Sequence, residues 1–198
     1  MKLRTISRIS VVALVVIVSA VIVIHSKLTD TRAAALVGAD LGATAAPDFT
    51  LADQNGATVS LQRLRGHPVA LTFLDTRCVG NCGATADKLF AAVSALGAKA
   101  SRVEWIAVSV DPTGDSAQSA TAFVASHHLS GDLHYLLGSS AQLTPVWKAY
   151  GIEATPGQDI GAHEQGVYVI DGKGRERVYL DSGSTSAALA SDLRALLS

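Results

Sequence analysis

A continuous apolar run of strand length, "PVALTFL" at 68–74, and a second buried-strand pattern, "VEWIAVSV" at 103–110, constrain the fold of this chain more than any other feature. A strand solvated on one face alternates polar and apolar residues. One that is apolar throughout must be covered on both faces. Between the two runs, "ATADKLFAAVSALG" at 84–97 places Ala84, Leu89, Val93 and Leu96 at helical spacing, with Gly97 as a stop. Strand, helix and strand in that order predict a crossover inside one covered sheet.

The flanking sequence extends the pattern. Upstream, Phe49 and Leu51, then Val59 and Leu61, suggest two short strands around the "DQNG" turn, followed by a one-turn helix in "LQRLRG". Downstream, residues 115–128 read as a helix with Asp115 as N-cap. "LHYLLG" reads as a short strand, and "SAQLTPVWKAYG" as a helix interrupted near Pro145. "GVYVID", a turn at "GKG" and "RERVYL" form a hairpin. "STSAALASDLRALL" closes the chain as a helix capped by Ser184. The expected fold class is α/β: a sandwich of helices around a mixed β-sheet, with no internal repeat.

The N-terminus stands apart. Residues 9–24, "ISVVALVVIVSAVIVI", carry no charge, Gly or Pro, and follow a basic flank at 1–8 with Lys2, Arg4 and Arg8. A positive flank before an apolar run predicts one N-terminal transmembrane helix with the flank in the cytoplasm. As a helix the run spans roughly 24 Å, workable with interfacial flanks. A retained single-pass anchor in the cell membrane is expected; the Ala-rich "TRAAALVGA" leaves late cleavage of a signal as the alternative. Residues 25–46, rich in Ala, Gly and Thr, read as a tether, and 47–198 as the extracytoplasmic domain. Sixteen basic residues balance 17 acidic ones, so the charge offers no field for nucleic acid.

Both cysteines lie in "TRCVGNC", directly after the first buried strand. A loop leaving the C-terminal end of such a strand is where α/β folds place their sites. Cys82 falls near the first helical turn, where free amides and the helix dipole favour thiolate over thiol, so both sulfurs are expected to be reactive. A purely stabilising bridge is a weak reading, because so short a loop constrains little of the unfolded chain. Residues four apart on a helix have Cβ atoms about 5–6 Å apart, whereas a disulfide needs about 3.8 Å. Cys78 must therefore lie off the helix if the pair is to oxidise. Two thiolates at this spacing also suit one metal ion. Thioredoxin-like redox motifs use C-x-x-C, and peroxidatic cysteines stand in T-x-x-C; this chain has C-x-x-x-C and T-x-C.

At these residues the chain resembles the Sco/SenC family of membrane-tethered, thioredoxin-fold copper-binding proteins, over about residues 46–181. "APDFTLADQNGATVSLQRLRGHPVALTFLDTRC" is similar to the family's opening. "TRCVGNCG" matches the Thr and both cysteines of T-x-C-P-x-x-C-P. "VSVDPTGDS" resembles V-D-P-x-x-D, "GSSAQLTPVWKAYGI" a helix ending in A-Y-G, and "AHEQGVYVIDGKGRE" the family's D-H-S histidine, strand and D-x-x-G-R turn. Val79 and Gly83 replace the motif's prolines, and Ala162 the Asp before the histidine. The resemblance implies a thioredoxin-like three-layer sandwich. It also implies copper, as Cu+ or Cu2+, held by Cys78, Cys82 and His163. Two thiolates and an imidazole suit either state. It further implies a copper chaperone acting between donor and recipient proteins outside the cytoplasm, the recipient being an oxidase CuA subunit during terminal oxidase assembly. A thiol–disulfide oxidoreductase that keeps partner cysteines reduced is the alternative, with the same two cysteines as its redox pair.

Other residues carry weaker signals. Asp111, ahead of Pro112, reads as a turn or cap residue, or as a polar group near the site. Arg77 either lowers a thiolate pKa or faces solvent. Trp147 and Tyr150, three apart on one helix, read as packing. His127 and His128 read as a solvated helix end; His25 reads as interfacial, and His67 and His134 carry no partner signal. Pro156 is separated from "GVYVID" by "GQDIGAHEQ", unlike the cis-proline of thioredoxins, which directly precedes its strand. That layout favours a metal site over a general reductase.

Overall fold

The computed structural model describes residues 36–78, 80–154 and 166–197. Its strands are β1 (Ala39–Asp40), β2 (Thr50–Asp53), β3 (Thr58–Ser60), β4 (Val69–Leu74), β5 (Glu104–Ser109), β6 (Leu133–Leu137), β7 (Val167–Ile170) and β8 (Glu176–Leu180). Its helices are α1 (Cys82–Leu96), α2 (Ala117–Ser126), α3 (Ser140–Ala149) and α4 (Ser186–Leu196). One mixed sheet runs β1-β8-β7-β4-β5-β6-β2-β3, with β4, β5 and β6 parallel and the remaining pairs antiparallel. The run from residue 9 to 24 lies outside the described residues, among which no helix is long and apolar enough to cross a membrane.

All six residues of β4 are buried, as its unbroken apolar run requires. Its side chains alternate between two cores. Ala70 and Leu74 join Trp105 and Ala107 of β5 under α1, α2 and α4, where Leu89, Val124 and Leu193 fill the layer. Val69, Leu71 and Phe73 join Ile106 and Val108 on the other face, covered by α3 and the β2–β3 hairpin through Leu143, Trp147, Leu51 and Val59. Three layers result, consistent with the thioredoxin-like sandwich. Gly97 ends α1 at φ +56°, a conformation that glycine adopts without a Cβ penalty.

Several boundaries differ from the sequence reading. Ser116, not Asp115, caps α2: its hydroxyl accepts from Ser119 N at 3.1 Å, and the Ser119 hydroxyl accepts from Ser116 N at 2.8 Å. Thr185, not Ser184, caps α4; the Ser184 hydroxyl instead donates to Asp181. α3 runs through Pro145 without interruption. So near the helix start the proline forfeits a single bond, to the carbonyl of Ala141. The helix is secured ahead of it by Gln142, whose side chain accepts from Ser139 N at 2.9 Å.

Residues 36–46, which composition assigns to the tether, belong to the folded domain. β1 pairs with β8, and Ala45 bridges to Arg175. The carboxylate of Asp192, buried in α4, accepts Val37 N at 2.6 Å and Gly38 N at 3.0 Å. A strand held through its backbone needs no side-chain periodicity, so its sequence looks like linker. Asp192→Ala removes both acceptors. It is expected to cost about 1.5–3 kcal/mol in denaturant unfolding and to speed amide exchange at Val37 and Gly38. Unchanged exchange at those two amides would contradict the clamp.

Candidate metal centre

The parallel pairing of β4 with β5 aligns Leu74 with Ser109, and Val110 N donates to Leu74 O at 2.9 Å. The two strands therefore deliver their following loops side by side. The first carries Asp75, Thr76, Arg77 and Cys78; the second carries Asp111, Thr113, Gly114 and Asp115.

Within the first loop, Arg77 N donates to the Asp75 carboxylate at 2.7 Å, and Cys78 N to Asp75 O at 3.4 Å. These bonds fold the chain back after β4 and leave Cys78 off the helix. Cys82 opens α1 as its first residue. Asn81 precedes it as N-cap and makes no side-chain cap bond. Cys78 and Cys82 are disulfide-bonded, with Cα atoms 6.0 Å apart. Both predicted cysteines are thus brought together, by the loop position that the spacing argument demands. Cys82 departs from the expectation that both sulfurs would be more reactive than a buried core cysteine. It is fully buried in the apolar layer beneath α1, and Cys78 packs half-buried against the same layer. His163 and Pro156 lie outside the described residues. Among the described residues no group of three or more His, Cys, Asp or Glu could hold a metal ion.

The second loop explains Arg77 and Asp111. The Arg77 guanidinium pairs with Asp111, which is 1% exposed. A Cβ on Gly114 would overlap both groups, so a larger residue there would displace the pair. Asp111 also organises its own turn, accepting from Thr113 Oγ1 at 2.7 Å and Gly114 N at 3.0 Å. Burial acts to raise its pKa, but the Thr113, Arg77 and backbone hydrogen bonds outweigh it and hold the carboxyl below the usual value. Both readings of Asp111 meet in one residue: it is a turn former and the partner of a site-flanking cation. The same ion pair raises the Arg77 pKa.

Asp115 is the residue beside the cysteine loop that the sequence reading placed wrongly. Rather than capping α2, its Oδ1 accepts Thr76 N at 3.0 Å and Thr76 Oγ1 at 2.6 Å. Its Oδ2 accepts Ser109 Oγ at 2.6 Å and Tyr135 OH at 2.8 Å. Tyr135 is buried on β6; burial, then the Asp115 charge, push its phenol pKa well up, so it stays a donor. The signal that could have found Asp115 is the T-x-C of one strand end facing the D-x-x-x-D of its parallel neighbour.

The remaining candidates resolve as structure. Trp147 Nε1 donates to Ser109 O at 2.9 Å and Tyr150 OH to Pro47 O at 2.8 Å, as packing residues. His127, the C-cap of α2, is half-buried: its Nδ1 meets Asp87 at 2.7 Å, and its ring lies 4.6 Å from that of Phe123, while His128 beside it is exposed as expected. His134 does have a partner, Asp53, at 2.8 Å. His67 Nδ1 lies 3.3 Å from Arg102 O.

A model of the SCO1/SenC family matches residues 38–198. The chain belongs to the SCO1/SenC family. No curated protein matches it significantly. Among solved structures, the chain is similar to Bradyrhizobium japonicum ScoI with copper bound, at 26% identity and a TM-score of 0.68, covering 77% of this chain and 99% of that one. It is similar to apo Sco1 from Thermus thermophilus at 26% identity and a TM-score of 0.66, over 81% and 95% of the two chains. BsSco is a Sco-family cytochrome c oxidase assembly protein in which a disulfide switch has been identified. It shares the fold at 22% identity and a TM-score of 0.70, over 83% and 99%. As in the thioredoxin-like reading, this SCO1/SenC chain carries its cysteines where the first central strand gives way to a helix.

Three carboxylates (Asp75, Asp111 and Asp115) lie behind the cysteine loop. Asp75 is 6% exposed, and burial raises its pKa; the Asp115 and Asp111 charges push the same way, against the Arg77 amide. The folded state therefore binds the Asp75 proton more tightly than the unfolded chain. Stability from this residue falls as pH rises from the ordinary value of 3.8 through the raised one. Asp75→Asn is expected to raise the melting temperature at about pH 7 and leave it unchanged near pH 3, where the wild-type carboxyl is already protonated. A melting temperature at neutral pH equal to or below that of the wild type would refute this.

Proposed function

We propose that the chain is a membrane-tethered, extracytoplasmic copper chaperone that loads copper on Cys78, Cys82 and His163 and delivers it during terminal oxidase assembly. The observation that carries this reading is the juxtaposition of the two sulfurs at the β4–α1 junction of a SCO1/SenC chain. Copper is bound in the related ScoI of Bradyrhizobium japonicum. Soft thiolates with an imidazole form a donor set suited to copper, and the ion is cargo here. The basic flank and apolar run at 1–24 support attachment to the cell membrane with the domain outside the cytoplasm, where a disulfide persists.

The disulfide makes loading conditional. While Cys78 and Cys82 are bonded to each other, neither sulfur is a thiolate, so neither can ligate. A dithiol partner must first reduce the bond: its two thiols become a disulfide, and Cys78 and Cys82 become thiols. Metal binding then displaces their protons. The formed bond also favours the second reading, a thiol–disulfide oxidoreductase, which needs the cysteines but not His163.

Copper titration of residues 36–198 separates the two. Reduced protein is expected to bind one copper ion and oxidised protein none. Cys78→Ser and Cys82→Ser should abolish tight binding, and His163→Ala should weaken it by about tenfold or more. Unchanged affinity in His163→Ala would remove the three-ligand centre, and full disulfide-reductase activity in that variant would favour the oxidoreductase.

A further inference from the structure

The two halves of the cysteine pair share one apolar layer but differ in their backbone setting. Cys82 is fixed by α1, which packs through Ala86 and Leu89 into the layer above β4. Cys78 lies in the coil before α1, half-buried against the same layer and bonded through its amide to Asp75, and the residues ahead of it are tied also to the loop after β5. Thr76 reaches Asp115 through both its amide and its hydroxyl, at 3.0 and 2.6 Å, and Arg77 reaches Asp111. Asp115 is itself immobilised from behind by Ser109 and the buried Tyr135.

We infer that Asp115, acting through Thr76, is the positioning residue that keeps Cys78 within bonding range of Cys82, with Arg77–Asp111 as a second point of attachment. A loop released by reduction would separate its sulfur from the helix-borne one, and re-forming the bond would then cost ordering entropy. The latch removes that loss because it leaves the loop where the disulfide needs it. Its effect is on how readily the pair closes. The inference concerns the sulfurs alone and stands or falls without copper.

The test is equilibration of the full chain with glutathione and glutathione disulfide, with alkylation to count free thiols. Glutathione thiolate attacks the Cys78–Cys82 bond, forming a mixed disulfide and releasing one protein thiol. A second glutathione completes the exchange, so two electrons pass to the protein and one glutathione disulfide leaves. Thr76→Val, which deletes only the hydroxyl bond, is expected to shift the equilibrium about tenfold toward the dithiol. Asp115→Asn should shift it the same way, and Thr76→Ser should restore the wild-type value. Arg175→Gln serves as the stability control. It weakens a carboxylate pairing at the β7–β8 turn, where Arg175 lies 2.7 Å from Asp171, and should lower the melting temperature without moving the equilibrium. A folded Thr76→Val with the wild-type equilibrium constant overturns the inference. So does Thr76→Ser behaving like Thr76→Val, or Arg175→Gln shifting the equilibrium equally. If Asp115→Asn fails to fold, the Thr76 pair decides alone.

Discussion

The cysteine site depends on the parallel pairing of β4 with β5. Their register, Leu74 opposite Ser109, brings both strands to an end at the same level of the sheet. Parallel neighbours point their C-terminal ends the same way, so the loops that follow them must share one edge of the domain. An antiparallel partner would have carried Asp111 and Asp115 to the opposite end. The burial of β4 on both faces supplies the stability behind this arrangement. Its side chains divide between two apolar layers, and the strand cannot shift by one residue without exchanging every side chain between them.

From that register follows an uneven electrostatic setting. Three carboxylates stand behind the cysteine loop, with Arg77 paired to Asp111. Asp111 and Asp115 are compensated by hydrogen bonds from Thr113, Gly114, Thr76, Ser109 and Tyr135. Asp75 is the least well compensated, and its pKa rises accordingly. Excess negative charge behind a thiol pair works against a second pair of anions and with a cation.

Much of this was legible in the residues. The covered strands, the crossover helix, the hairpin at "DQNG" and the closing helix follow from periodicity and turn chemistry, and each was found at or near its expected place. The cysteines were legible because both lie within one loop, so their meeting is a local event. The placement of Cys78 off the helix followed from the disulfide's own geometry. The errors have a common cause. Asp115 looked like a helix cap and residues 36–46 like linker, because each acts through a partner distant in sequence. Local pattern reports on neighbours along the chain and carries no record of partners across it.

By itself, then, the sequence determined that this chain forms a covered mixed sheet with a cysteine pair at the end of its first central strand. Burial, periodicity and loop geometry are properties of short segments. Only the tertiary structure decided what holds that pair: the alignment of two strand ends, the seat that Gly114 leaves for Arg77 over Asp111, and the two-sided grip of Asp115 on Thr76 and Tyr135. A hydrogen bond between residues 39 apart forms only when the sheet has set their loops side by side. The register of that sheet is a property of the whole packed core, which no single stretch of the chain encodes.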